Sequence, residues 1–446
     1  MAMETKDLRD GERSMRAGQP VGIDTCSPRV LFVYSYSGGP QRYRCIHAAE
    51  QLALRGIGCS LCSVTDPSLD ERAEQSAVLV LHRVPADRQV ERLIRKARGN
   101  GSIVLFDTDD LLFDPSQWGR MRKPSDLHVV DCVLAKDEAR RFAKTIHLSD
   151  SCIVSTDYLA ARVVALGCRA WVVRNAFSLE MLSISERALD ERPDATGKFV
   201  IGYASGSRTH NRDFEEVAPA LREILSRHRE AELWIVGHLQ LPPEWDTLSP
   251  RVRRVPFVPW QELPRILSRF DVNIAPLESG DPFCNAKSEI KWMEAALVGT
   301  PTVASRTDAF EHAIEQGETG FLAASPDEWF EHLETLTRDP DLRRKMGEQA
   351  REAALSAYHP AVRGKELIQT LNAIGELVHG RRLWPECEMS TKLQSEIPSP
   401  YDEEGSRLQP TRVRKALYIV RNRGLFSFLL RLLVFILRHM PWRKRL

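Results

Sequence analysis

Asp281 to Ser305 reads DPFCNAKSEIKWMEAALVGTPTVAS. Its parts follow in succession: a polar, turn-forming loop from Gly280 to Asn285, a helix from about Ala286 to Val298, and a Gly-Thr-Pro turn into the apolar strand Pro301 to Ala304. Ile290, Met293, Glu294 and Leu297 recur at the three- and four-residue spacing of one helix face. Glu294 therefore lies on or beside the face that packs against a sheet, where a carboxylate is costly unless something binds it. The helix opens with Lys287 and Ser288. One element thus offers amide donors and a cation to a phosphate at its start, and an acceptor for hydroxyls along its flank.

Outward from this stretch the chain alternates strand and helix. PRVLFVYSY (28–36) is the nearly continuous apolar run that parallel sheets require. It ends in SGGPQRYR, a flexible turn into a helix from about Tyr43 to Arg55. Strands follow at 58–64, 78–83 and 102–107, with a basic helix over 86–98 and a helical segment over 125–147. SDSCIVSTDYLAARVVALG (149–167) reads as strand, Ser/Thr-capped turn and helix, and RAWVVRNAF (169–177) closes this half. Residues 178–197 form a linker. FVIGYASG (199–206) then starts a second series on the same plan, with strands ELWIVG, RVRRVPFV and DVNIAPL and helices over 261–269, 327–337, 340–357 and 362–380. The architecture is duplicated without visible sequence repetition. It predicts an α/β protein of two doubly wound, Rossmann-like domains, residues 28–177 and 198–360, facing across a cleft.

Candidate site residues gather at strand ends. In SGSRTHNRDF (205–214), Gly206 and Ser207 let the backbone approach a phosphate, Arg208 and Arg212 add positive charge, and His210 can donate to a phosphate oxygen. Gly38 and Gly39 make no GxGxxG fingerprint, so a dinucleotide site is weakly supported; Arg42 and Arg44 beside them are anion candidates or surface charges. Asp107, Asp109 and Asp110 stand within four residues at a strand end and repel one another unless cations, hydroxyls or amides compensate. One of them is a candidate functional acid. His82 ends the third strand as a cleft histidine or a packed one.

These residues bring a family into view. KSEIKWMEAALVGTPTVAS resembles the donor-binding segment of the group 1, retaining glycosyltransferases of the GT-B fold, in which a helix glutamate binds the ribose of a nucleotide sugar. Glu294, Ala295, Gly299, Pro301 and Val303 match that pattern. The family commonly carries another glutamate eight positions earlier; here that position is Ala286, and Asp281, Asn285 or Glu289 could replace it. FDTDDLLF (106–113) resembles an FDxDDLxF segment of a bacterial branch. It also resembles the DxD metal motif of the other transferase fold, against which the βα rhythm argues.

The resemblance spans about residues 28–375. It implies transfer of a sugar from a nucleotide-diphosphate sugar to a glycan or lipid-linked acceptor, with retention, without a metal ion and with no cofactor beyond the donor. Lys287, Arg208 and Arg212 would stabilise the departing diphosphate. Glu294 would bind ribose, with Gly206, Ser207, His210, Asn285 and Ser288 in the donor site. Asp109 or Asp110 would orient or deprotonate the acceptor hydroxyl. Asn175 matches the strand-end Asn before the family's interdomain hinge, and residues 361–384 would cross back to the first domain. An epimerase or phosphorylase on the same fold, and a catalytically silent membrane-docked protein, are the alternatives.

Composition agrees with a soluble protein long enough for two domains plus appendages: 446 residues, 43% hydrophobic and 28% charged. The net charge of +1 is uneven, because residues 411–446 hold ten Lys or Arg and no acid, leaving about −9 (1 − 10) elsewhere. Nine cysteines without a pairing pattern point to reduced thiols. Cys59 and Cys62 form a CxxC, but within a strand they face opposite sides. The first twenty-five residues lack the apolar core of a signal peptide, so a cytoplasmic location is expected. Residues 1–27 read as a flexible arm and 385–410 as a flexible spacer. In GLFSFLLRLLVFILRHMPWRKRL (424–446) the apolar run of 13 residues from Leu425 to Leu437 is broken by Arg431. It is shorter than the roughly 20 residues a bilayer span takes. Residues 411–446 are therefore expected to lie as a basic amphipathic helix on an anionic membrane, peripheral on its inner face. Nucleic acid is not expected as a partner, since it would leave the apolar face without a use.

Overall fold

The computed structural model describes residues 29–116, 129–193, 197–206, 211–248 and 250–384. The expected N-terminal arm, spacer and basic tail lie outside the described residues. Two six-stranded sheets organise the rest. The first holds β1 (Val30–Tyr34), β2 (Cys59–Ser63), β3 (Val78–His82), β4 (Ile103–Thr108), β5 (Ser151–Val154) and β6 (Ala170–Val172), in the order β2-β1-β3-β4-β5-β6. The second holds β7 (Phe199–Ser205), β8 (Ala231–Gly237), β9 (Val252–Val255), β10 (Val272–Ala275), β11 (Thr302–Ser305) and β12 (Phe321–Ala323), in the order β12-β11-β10-β7-β8-β9. Neighbouring strands pair in parallel throughout both sheets. Continuous apolar runs such as VLVLH and IVLFDT are buried along their whole length, because helices cover both faces. Strand order reverses between β1 and β3 in one sheet and between β7 and β10 in the other. Crevices at such reversals, beyond the carboxyl ends, are where this architecture binds ligands.

Several helices depart from the expected boundaries. The expected linker is mostly the helix Leu179–Asp190, started by Ser178, whose hydroxyl accepts from the Met181 amide at 3.0 Å. After β7 the chain forms two helices, Asn211–Glu215 and Ala218–Arg227, since Pro219 starts a helix well but cannot continue one. The loop expected over 280–285 holds a short helical turn, Pro282–Asn285, and the helix expected over 286–298 starts only at Ile290, as Ile290–Leu297. The bend between them is set by groups distant in sequence. Asn175 donates to the Ser288 hydroxyl at 2.9 Å, and Glu289 turns inward to accept from the Tyr358 hydroxyl at 2.8 Å. Lys287 and Ser288 therefore sit on the bend and do not open the helix.

The helix Pro360–His379 returns to the first sheet. Its Leu367, Ile368, Leu371 and Ile374 share a core with Val30, Phe32 and Leu52. Gly364 allows the close approach: a Cβ there would stand 2.5 Å from the Gln51 carbonyl oxygen. A second mixed core joins Tyr43, Phe177 and Met181 to Trp292, Met293 and Tyr358.

Candidate functional site

The carboxyl edges of the two sheets face one another, and side chains from each reach the other. Helix Gly39–Gln41 runs into a π turn, Arg42–Ile46, of the kind frequent at functional sites. From this turn the Tyr43 hydroxyl donates to Glu294 Oε1 at 2.6 Å, and Arg42 lies 4.0 Å from the same oxygen. The Arg42 guanidinium also stacks over the Trp260 ring at 4.7 Å. Lys287 Nζ donates to Asp110 Oδ1 at 2.7 Å and lies 4.2 Å from the Phe283 ring centroid. Thus Glu294 and Lys287, seven positions apart on one stretch, both point into the cleft.

Burial raises the pKa of Glu294 above the ordinary carboxylate range, against the pull of Arg42, the Tyr43 hydrogen bond and Lys291. Burial, reinforced by Glu294, also pushes the Tyr43 phenol well above its usual value. Tyr43 consequently stays a hydrogen-bond donor.

On the first sheet, parallel register places His82 beside Asp107. The buried Asp107 carboxylate accepts from Arg44 Nη2 at 2.6 Å and lies 2.6 Å from His82 Nδ1. Burial alone would raise Asp107, but the Arg44 charge and the His82 hydrogen bond more than offset it and hold the acid below its ordinary range. Arg83 forks onto the two other acids, donating to Asp109 at 2.7 Å and to Asp110 at 2.5 Å. Among the described residues it is the non-glycine residue with a positive φ, 49°, a backbone setting that recurs at functional sites.

On the second sheet, Asp213 is buried at the β7 edge and accepts from the Glu278 amide at 3.0 Å and from Cys284 Sγ at 3.2 Å. Arg212 lies 3.6 Å from Glu278 Oε1. Lys291 extends beneath this edge, its nitrogen 4.6 Å from the Tyr203 ring centroid.

Residues 212–369 match a family described as glycosyl transferase-like. The D-inositol 3-phosphate glycosyltransferase of Corynebacterium glutamicum is 35% identical over 107 residues, 22% of this chain and 26% of that protein. Its counterpart in Corynebacterium jeikeium is 31% identical over 146 residues, 29% of this chain and 33% of that protein. The match thus spans about a quarter to a third of these relatives' lengths. Among solved structures, Anabaena HepE in complex with UDP-glucose superposes with a TM-score of 0.51 at 15% identity, covering 77% of this chain and 99% of that one. Sucrose-phosphate synthase from Thermosynechococcus elongatus gives 0.54 at 13% identity, covering 78% and 100%. These two likenesses establish the fold. The match to the glycosyl transferase-like family is confined to residues 212–369, and the fold is of the GT-B type.

The stretch that matches this family carries Arg212, Asn285, Lys287, Ser288, Lys291 and Glu294. Of the residues expected in a donor site, Lys287, Ser288 and Glu294 meet first-sheet groups across the cleft. Arg212 pairs with Glu278 on its own side, and Asn285 ends the turn that Asp281 caps. Gly206 is exposed at the β7 edge, while Ser207, Arg208 and His210 lie outside the described residues. The triple-acid run is compensated by Arg44, His82, Arg83 and Lys287. Although burial would raise Asp109, Arg83, His82 and Arg44 hold it below its usual range, which makes it a weak proton acceptor. Sequence reading missed Tyr43 and Lys291. For Lys291 the signal was present, a lysine four after Lys287 and three before Glu294 inside an otherwise apolar helix.

Proposed function

We propose that the chain moves a sugar from a nucleoside-diphosphate sugar to a glycan or lipid-linked acceptor, with retention and without a metal ion. The observation that carries this reading is the convergence of Lys287 and Glu294 on one cleft, each held by a group from the facing sheet. Tyr43 occupies Glu294 Oε1, which leaves Oε2 for ribose hydroxyls. Lys287, with Arg212 and Arg208, meets the diphosphate and stabilises the charge that grows on it as the glycosidic bond breaks. Closure of the two domains excludes water, since hydrolysis is the competing reaction. The UDP-glucose held by HepE supports a donor of this class. Retention follows the family resemblance, and the anomeric configuration of the product, read by NMR, tests it.

Lys287→Ala tests the donor site. Calorimetry should show a nucleoside diphosphate bound roughly 10- to 100-fold more weakly, as expected for loss of a charged hydrogen bond, with the nucleoside unaffected. Equal losses for both would remove Lys287 from the phosphate site. If the unmodified protein binds no nucleoside diphosphate at all, the reading shifts to a silent protein that keeps the fold.

The acceptor's lipid-linked character rests on the basic tail. Among the described residues no helix is long and apolar enough to cross a membrane. We read residues 411–446 as the segment that brings the protein to an anionic surface. Removing them should release the protein from phosphatidylglycerol-containing liposomes in a sedimentation assay; unchanged co-sedimentation would reject the tail as the anchor.

A further inference from the structure

Helix Ile290–Leu297 carries one lysine, Lys291. The Lys291 nitrogen is buried and has no hydrogen-bond partner among the described residues. An ammonium carries three donors, and leaving all of them unused away from water is costly. Its surroundings do not absorb it. From helix Asn211–Glu215, Asp213 spends its Oδ1 on Cys284 and on the Glu278 amide. On Lys291's own helix, Glu294 is engaged by Tyr43. On the bend, Lys287 bonds to Asp110 and adds like charge. From β7, the Tyr203 ring centroid lies 4.6 Å from the Lys291 nitrogen. These groups gather where β7 and β10 end, at the strand-order reversal of the second sheet.

We propose that Lys291 is the cation that grips the donor's diphosphate from the floor of the cleft. The inference rests on the nucleoside-diphosphate reading above and assigns its phosphate contact to a helix. Lys287 and Lys291, one helical turn apart in sequence, bracket the position: Lys287 reaches across to the facing sheet, and Lys291 stays beneath. An incoming phosphate oxygen supplies the acceptor that the ammonium lacks. Glu294 stands three residues further on, in place for the adjoining ribose.

A consequence concerns protons. Burial pushes the Lys291 ammonium down to about 8, against the attraction of Asp213 and Glu294 and with the repulsion of Lys287. Near that pH about half of the free protein carries Lys291 neutral, and a diphosphate favours the charged form. Binding should therefore draw a proton from solution at pH 8.5 and none through this group at pH 6.5.

The test is calorimetry of the full chain with UDP, GDP and ADP and with their nucleosides. It is run at both pH values in two buffers of different ionisation enthalpy, for the unmodified protein, Lys291→Met and Lys291→Arg. Expected are proton uptake on binding a diphosphate at pH 8.5 but not at 6.5, and an affinity loss of roughly 10- to 100-fold in Lys291→Met with unchanged nucleoside affinity. Lys291→Arg should restore affinity without the uptake, because a guanidinium stays protonated. Unchanged diphosphate affinity in Lys291→Met, or equal loss of diphosphate and nucleoside, overturns the assignment while leaving the donor reading intact. Absence of diphosphate binding by the unmodified protein overturns both.

Discussion

Replacing Arg44 with methionine is expected to destabilise the chain by about 3–5 kcal/mol, the range for breaking a buried ion pair from one side. Arg44 is 4% exposed and Asp107 0%, so water screens neither. The guanidinium is also spent on the Asn175 side chain at 3.2 Å and the Val173 carbonyl. Its loss strands Asp107 as a buried charge facing His82 alone. Because the folded protein holds Asp107 below its ordinary range, the pair's contribution is complete above about pH 4, the unfolded acid's pKa. It is lost as pH falls through the lower folded value. Urea denaturation at pH 7 should show the full difference between the unmodified protein and the variant, and the two should converge as pH drops below about 4. Adding Asp107→Leu to Arg44→Met should recover part of the loss, since an apolar pair often replaces a buried ion pair at little cost. A difference under about 1 kcal/mol at pH 7 would mean that the pair is not the electrostatic centre of the first sheet's carboxyl edge.

Glu294→Ala should weaken binding of a nucleoside diphosphate by roughly a hundredfold, equivalent to losing two charge-assisted hydrogen bonds to ribose. The corresponding 2′,3′-dideoxy nucleotide should bind the unmodified protein and the variant nearly alike. The carboxylate must be ionised to accept both hydroxyls, and its pKa lies above the ordinary range. Affinity of the unmodified protein should therefore fall as the solution becomes mildly acidic, while Glu294→Gln gives a flat profile over the same interval. Tyr43→Phe separates this role from packing. If Glu294 serves only to anchor Tyr43, then Tyr43→Phe and Glu294→Gln will each lower the melting temperature and leave nucleotide affinity untouched. That result would remove ribose from the carboxylate.

The chain's local chemistry was enough to reveal much of this design. Runs such as VLVLH and IVLFDT can only be strands covered on both sides, and their alternation with amphipathic helices implies two doubly wound sheets. The Glu294 side chain could be placed near a buried face by helical period alone, because that period is a property of neighbours three and four apart. What the tertiary structure alone decided is which distant groups these side chains meet. Arg44 and Asp107 are 63 positions apart, Tyr43 and Glu294 are 251, and Lys287 and Asp110 are 177. The bend before Ile290 likewise depends on Asn175 and Tyr358, so no local propensity could mark it. Lys291 illustrates the same division: its sequence neighbours place a lysine on a helix. Only the packing of β7 and helix Asn211–Glu215 around it leaves that ammonium buried without a partner, since burial is a sum over contacts that the folded chain brings together.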